Sequence, residues 1–146
     1  MNDMLKITGK VSYVLARADG SVKDAWEAAN LVVTAGKVAL AAWLAASTQS
    51  AKFMPYIGLG SGTTAAQATD TALETELARV AGTITSSSNV YQNVAVFGAG
   101  TGTGTIAELG LLSAASSGTL FAHQIFSARP KDATDTLTVT WAITFA

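Results

Sequence analysis

The stretch TLTVTWAITF, Thr136 to Phe145, alternates from end to end: Leu137, Val139, Trp141, Ile143 and Phe145 fall on one parity, and Thr136, Thr138, Thr140, Ala142 and Thr144 on the other. Successive side chains of a β-strand point to opposite faces, so this segment is a strand with one bulky apolar face and one face that is almost wholly threonine. Such a face must pack against a second layer. The same alternation recurs upstream. Leu5, Ile7, Val11, Tyr13 and Leu15 predict a long strand bulged around Gly9, and Asp19-Gly20 supplies a hairpin turn into Val22 to Ala28. Further strands are expected at Val80 to Ser86, Val90 to Phe97, Thr105 to Leu112 and Thr119 to Ala128, with a turn at Ser87 to Asn89 and a break at Arg129-Pro130.

Two segments depart from this period. Residues 34–47 carry Val38, Ala41, Ala42, Ala45 and either Leu40 or Leu44 as an apolar stripe flanked by Trp43, which predicts a helix capped by Thr34. Ser47 to Lys52 follows as a polar linker. The block PYIGLGSGTTAAQATDTALETELA, Pro55 to Ala78, resembles a phosphate-binding loop at first sight, because Gly58, Gly60 and Gly62 follow a short apolar run. The chemistry is missing: the spacing is G-x-G-x-G, and no Lys or Arg follows until Arg79. The block therefore predicts a strand ending in a glycine turn, then a short second helix over 71–78 capped by Asp70 or Thr71, with Glu74 as the capping-box acid. The expected fold is mainly β: a two-layer antiparallel sandwich, jelly-roll-like, forming one domain over 1–146 with one principal helix.

Composition narrows the function classes. Charged residues make up 13% of the 146 residues, against a usual share of about 25%, and mean hydropathy is +0.35. Serine and threonine supply roughly a fifth of the chain, a share that suits strand surfaces and turns. So little charge implies that neighbouring subunits cover much of the surface. The net charge of -1 and the scattered basic residues give no footprint for a nucleic-acid backbone. The absence of cysteine excludes thiol catalysis and thiolate metal sites. The opening MNDMLKITGK lacks the apolar core of a signal peptide, and the longest apolar run, Val38 to Ala46, is too short for a membrane span, so an unexported polypeptide is expected.

Candidate chemistry is thin. His123 is the lone histidine, with no nucleophile motif around it, and is read as a polar or partly buried strand residue. Asp70, Glu74 and Glu76 lack calcium-loop spacing and are read as capping and solvated charge. Glu108 interrupts an apolar strand, which implies a pairing with a Lys or Arg or a bulge before Gly110. The aromatics fall mostly on apolar strand phases and are read as core. No catalytic residue, cofactor, metal ligand or small-molecule substrate is expected.

Four blocks carry a resemblance. YIGLGSGTTAAQATDTALETELAR, then TIAELGLLSAASSGTLFAH, then KDATDTLTVTWAITF, with NLVVTAGKVALAAWLA at Asn30 to Ala45, resemble small structural proteins of tailed bacteriophages over about residues 30–146. Leu112 stands where Phe is common in that family, and His123 replaces the usual Arg. The resemblance implies a non-enzymatic virion protein. The leading expectation is a capsid decoration or cement protein on the capsid surface, binding the major capsid protein and copies of itself. A tail-fibre or baseplate-associated subunit is the alternative, and a carbohydrate-binding β-sandwich module a third reading. Side-chain-poor exposed segments allow close backbone approach, so the contact candidates are the amino-terminal strand, the GAGTGTG tract with Gly98, Gly100, Gly102 and Gly104, and the turn at Ser116, Ser117 and Gly118.

Overall fold

The computed structural model describes residues 5–48 and 52–146. Its elements run β1 (Ile7–Ala16), β2 (Val22–Val32), α1 (Thr34–Ala45), β3 (Tyr56–Gly60), β4 (Glu76–Ala81), β5 (Thr83–Ser87), β6 (Val90–Phe97), β7 (Gly104–Leu112), β8 (Leu120–Lys131) and β9 (Thr136–Phe145). All pairings are antiparallel, in the order β4-β3-β7-β8-β2-β1-β9-β6-β5. Two layers result. β2-β1-β9-β6-β5 form one, β4-β3-β7-β8 the other, and only Leu31–Val32 of β2 against Ala122–His123 of β8 join them at that edge. At the opposite edge Gly82 alone separates β4 from β5, so the strip of strands folds over and nearly closes.

The strand period explains the core. Leu137, Val139, Trp141 and Ile143 of β9 are all buried, and the threonines between them look outward, as the alternation predicts. Val11, Tyr13 and Leu15 continue that inner face in β1, and Ile57, Leu59, Leu109, Leu111 and Phe121 meet it from the second layer. Burial of this kind is worth about 25 cal/mol per Å² of apolar surface, which makes the facing layers the main source of stability. The Trp141 indole N–H, which burial would otherwise orphan, donates to Asn30 Oδ1 at 3.0 Å.

Several expectations need correction. β1 runs in unbroken register along β9 and has no bulge at Gly9; the register shift lies between Leu15 and Ala16, against β2. The Asn30 side chain occupies the space where a Cβ on Gly9 would stand. The turn at Asp19-Gly20 forms as expected, with Gly20 at φ 86° and Ser21 N–H donating to Asp19 Oδ1 at 2.9 Å. β8 does not break at Arg129-Pro130 but continues to Lys131. Pro130 pairs only with β7, because β2 lies alongside β8 at Ala122 and His123 alone, so the missing proline N–H leaves no ladder unfilled on the other side. Residues 49–51 of the expected polar linker lie outside the described residues.

The helix forms over Thr34–Ala45, but by a different face and cap. Val33 is the cap residue and no side chain caps it; the Thr34 N–H donates instead to Ala68 O at 2.9 Å. Gly36 sits on β8 so closely that a Cβ there would lie 2.5 Å from Phe121 Cα. Ala39, Leu40 and Trp43 follow at helical spacing and turn toward the core, leaving the expected stripe of Val38, Ala41, Ala42 and Ala45 exposed. The residue permitting closest approach decided which apolar face docks.

The second helix over 71–78 is absent: residues 61–75 are irregular and β4 starts at Glu76. Gly58 and Gly60 do not form a turn but lie inside β3, on the face away from the core. With Gly110 of β7, the cross-strand partner of Gly58, they leave a trough on the outer face of the second layer. Leu73 fills it, with side-chain carbons 2.8 Å from where a Gly58 Cβ would stand and 2.7 Å from that of Gly110. Gly110→Val is expected to cost about 1–3 kcal/mol by overpacking. Urea unfolding would show the loss, and limited proteolysis would show new cleavage within 61–75, whereas Thr138→Val on the outer face should leave both unchanged.

Candidate functional site

Glu108 is the most constrained side chain on the outer face of the second layer. β7 presents it beside Gly60, with a register shift between Ile106 and Glu108, and its exposure is 0%. A bare buried carboxylate is costly, so every lone pair needs a donor. Oε1 accepts the N–H groups of Gly62 at 3.1 Å and Thr75 at 2.7 Å; Oε2 accepts the Glu74 N–H at 3.0 Å and lies 2.8 Å from His123 Nε2. The other ring nitrogen of His123 lies 2.8 Å from Asp70 Oδ2, which also accepts the Gln67 N–H. Glu74 turns its own carboxylate to the Thr64 N–H. The 61–75 segment is thus held by donors to Glu108 and Asp70, and the N–H groups that a helix would have needed capped are spent there.

Burial alone would push the His123 imidazole down, but its hydrogen bonds to Glu108 and Asp70 outweigh burial and hold it above its ordinary value of 6.5. Burial likewise opposes ionisation of Glu108, and the His123 contact with the Thr75, Glu74 and Gly62 N–H groups overrides it, leaving the carboxyl below its ordinary 4.5. For Asp70, burial is overcome by the Gln67 N–H and by His123, again with a net lowering. The ion set is Asp70⁻, His123 as imidazolium donating twice, and Glu108⁻. Both ring nitrogens are consumed. No edge of the imidazole is left to take a proton from a substrate, so the arrangement is a clasp and not a general base.

The side chain at position 123 thus faces two carboxylates. The sequence reading missed that Asp70 and Glu108 meet at His123. The available signal was an acid interrupting an apolar strand together with one histidine in the next strand at matching parity.

A second feature lies beneath α1. Leu40, Trp43 and Leu44 of the helix, with Phe53, Phe121 and Ile143, wall a cavity of about 390 Å³ that has no polar lining. Tyr91 also borders it, but its hydroxyl is turned away to donate to Met54 O at 2.7 Å, with Phe53 O at 3.0 Å. On the outer side of the helix Val38 is 64% and Leu44 66% exposed.

The expected contact segments are not brought together. β7 begins at Gly104 and ends at Leu112, so the Gly98–Gly104 tract and the Ser116–Gly118 turn stand at opposite ends of the sandwich, separated by roughly 27 Å of strand. At the first end Gly100, Gly102 and Gly104 have positive φ, and the buried Lys131 ammonium donates to Gly98 O and Asp135 O at 3.0 and 2.8 Å. Burial pushes that ammonium below its usual range despite Asp135. At the other end Ser116, Ser117 and Gly118 are exposed, and Arg79 donates to Ala114 O and Ser117 O. The amino-terminal strand is interior to its layer, flanked by β2 and β9, so it offers only its outer face.

Among the described residues, no group of three or more His, Asp or Glu is arranged to hold a metal ion, and no helix is long and apolar enough to cross a membrane. No protein-family model, curated protein or solved structure matches the chain.

The clasp makes a pH signature. With its folded value raised, His123 contributes stability that is complete below pH 6.5 and lost as pH rises through the folded value. Glu108 and Asp70, lowered, contribute stability that is complete above 4.5 and lost as pH falls through their folded values. The stability difference between the native chain and His123→Ala should therefore be largest between those limits, at about 3–5 kcal/mol for breaking a buried ion set. Denaturant unfolding across pH 3–10 checks this; a difference independent of pH would show that the loss is packing alone.

Proposed function

We propose that this chain is a non-enzymatic structural subunit of a tailed-phage virion, acting as a decoration or cement protein that associates with itself and binds across major capsid protein subunits. The observation that carries the reading is the outer face of the β2-β1-β9-β6-β5 layer. Thr138 of β9 is flanked in register by Val14 of β1 and Val96 of β6, and Thr140 by Ser12 and Val94, so the centre of the face holds no charge. The neighbouring ion pair Lys10–Glu27, at 3.0 Å between half-exposed side chains, lies toward the β1–β2 side.

A broad, short-chained sheet face without charge at its centre orders few side chains when covered, so binding costs little entropy. That suits a protein laid against repeated coat subunits. The clasp supports the same reading, because it spends the lone histidine on rigidity. A tail-fibre or baseplate-associated subunit shares these surfaces and differs in copy number. Densitometry of purified particles carrying this chain should give hundreds of copies per particle, and adding the protein to shells that lack it should raise their melting temperature. A few dozen copies or fewer, with no effect on bare shells, would assign it to the tail. A carbohydrate-binding role predicts glycan-array binding that is lost on substitution of the half-buried Trp26.

A further inference from the structure

We propose that the edge of β2 facing β8, at Glu27 and Ala29, is a docking edge for an extended segment of another polypeptide, which adds to the sheet as a further strand. β2 pairs with β1 from Asp24 to Asn30 without interruption but meets β8 only at Leu31 and Val32. The Val33 N–H donates toward β8, to Phe121 O at 3.0 Å. Main-chain groups of successive residues point to opposite edges of a strand. Leu31, Ala29 and Glu27 therefore turn their N–H and C=O groups toward β8, while Asn30 and Ala28 turn theirs to β1. Leu31 faces His123 there; among the described residues no strand pairs with Ala29 or Glu27 on that side, and no loop main chain bonds to them.

The gap is built by β8. Between the pairs Ile106–Arg129 and Glu108–Ile125, the three residues Phe126, Ser127 and Ala128 stand opposite Ala107 alone. This bulge carries Phe126 inward, with its ring 5.3 Å from Trp26 and 5.1 Å from Tyr13. β8 also blunts its own edge: Gln124 Nε2 donates to Ile125 O at 3.0 Å, Arg129 Nη1 to Ala128 O at 3.2 Å, and Pro130 has no N–H. β2 lacks these devices. Ala25 to Ala29 hold no proline and no register shift, and Ala25, Glu27 and Ala29 are exposed, two of them with the shortest side chains that leave a main chain accessible. Where the strands part, Ala29, Leu31 and Ile125 line a hollow of about 530 Å³ with Thr63 and Ala65.

The chemistry of the occupant follows from the edge. Donors and acceptors repeating every second residue, about 7 Å apart, match an extended main chain; a helix spends its own groups internally. Side chains of the added strand alternate, so one set lies over the half-buried Trp26 and Phe126 and is apolar, and the other lies beside Ala29 and Glu27 and is polar. The Asp24–Arg129 ion pair, at 3.0 Å, bridges the two strands at the far end and keeps the docked stretch to a few residues. The edge is a different surface from the threonine and valine face, and particle copy number does not bear on it.

Hydrogen exchange of the intact chain, read residue by residue by NMR, tests the edge itself: the Glu27 and Ala29 amides should exchange about tenfold faster or more than those of Ala28 and Asn30, which β1 holds. Soluble octapeptides alternating threonine with valine, leucine, phenylalanine or tyrosine then supply the strand. At least one should bind at one per chain and slow exchange at Glu27 and Ala29, and methylating its amides on one parity should weaken binding about tenfold while the other parity is tolerated. Ala29→Pro removes an N–H from the open edge and leaves the β1 ladder whole, so it should weaken binding about tenfold with little change in melting temperature, whereas Thr138→Val should bind like the native chain. Protected Glu27 and Ala29 amides in dilute protein would overturn the inference. So would protection that appears only as the protein is concentrated, which would assign the edge to a second copy. No binding by any peptide at about 1 mM, binding indifferent to amide methylation, or protection falling on β4 or β5 instead would each overturn it as well. If Ala29→Pro fails to fold, the exchange and methylation results decide.

Discussion

A carboxylate at 0% exposure has to be fully supplied with donors or it does not stay charged, and the arrangement around Glu108 follows from that requirement. Three backbone N–H groups and the His123 ring converge on it; the three N–H groups come from the 61–75 segment, and His123 anchors that segment through Asp70. The segment consequently lies flat on the second layer with Leu73 seated over Gly58 and Gly110. Its Ala68 carbonyl then receives the first free N–H of α1, so the position of the helix also depends on the clasp. One buried charge thereby links β7, β8, the long connection and the helix start.

The inner and outer faces of the strands divide the remaining work. Inward, Trp141, Phe97 and Phe121 and their neighbours close the sandwich. Outward, the two layers differ: one is covered by its own long connection, and the other is left bare with threonine and valine. α1 sits at one end with apolar side chains on both sides. One self-covered face, one bare face without charge at its centre and an apolar helix at the end are the surfaces on which the proposed assembly role rests.

Strand phase was legible because it depends only on neighbouring residues. The alternation in Thr136 to Phe145 identified both the buried face of β9 and the need for a second layer, and the Asp19-Gly20 turn was equally local. The clasp was visible only in fragments: Glu108 stood out as an acid in an apolar strand, His123 as a lone histidine, and Asp70 as a cap. Local rules assigned Asp70 and Glu74 to a helix start that does not exist. The docking face of α1 was misread for a related reason, since a helix rich in apolar residues on every side has no single stripe and Gly36 escapes any hydrophobic count.

By itself the amino-acid sequence determined the β class, the inward and outward sides of most strands, the presence of α1 and the lack of thiol chemistry, all of which follow from residue type and short-range period. Only the tertiary structure decided the course of 61–75, the meeting of Asp70, His123 and Glu108, the burial of Gly36 and the separation of the Gly98–Gly104 tract from the Ser116–Gly118 turn. Each of these is set by donors or surfaces brought from distant parts of the chain. Glu108 reaches Glu74 and Thr75 across more than thirty residues, and a contact over that distance outweighs the local propensity of the segment it captures.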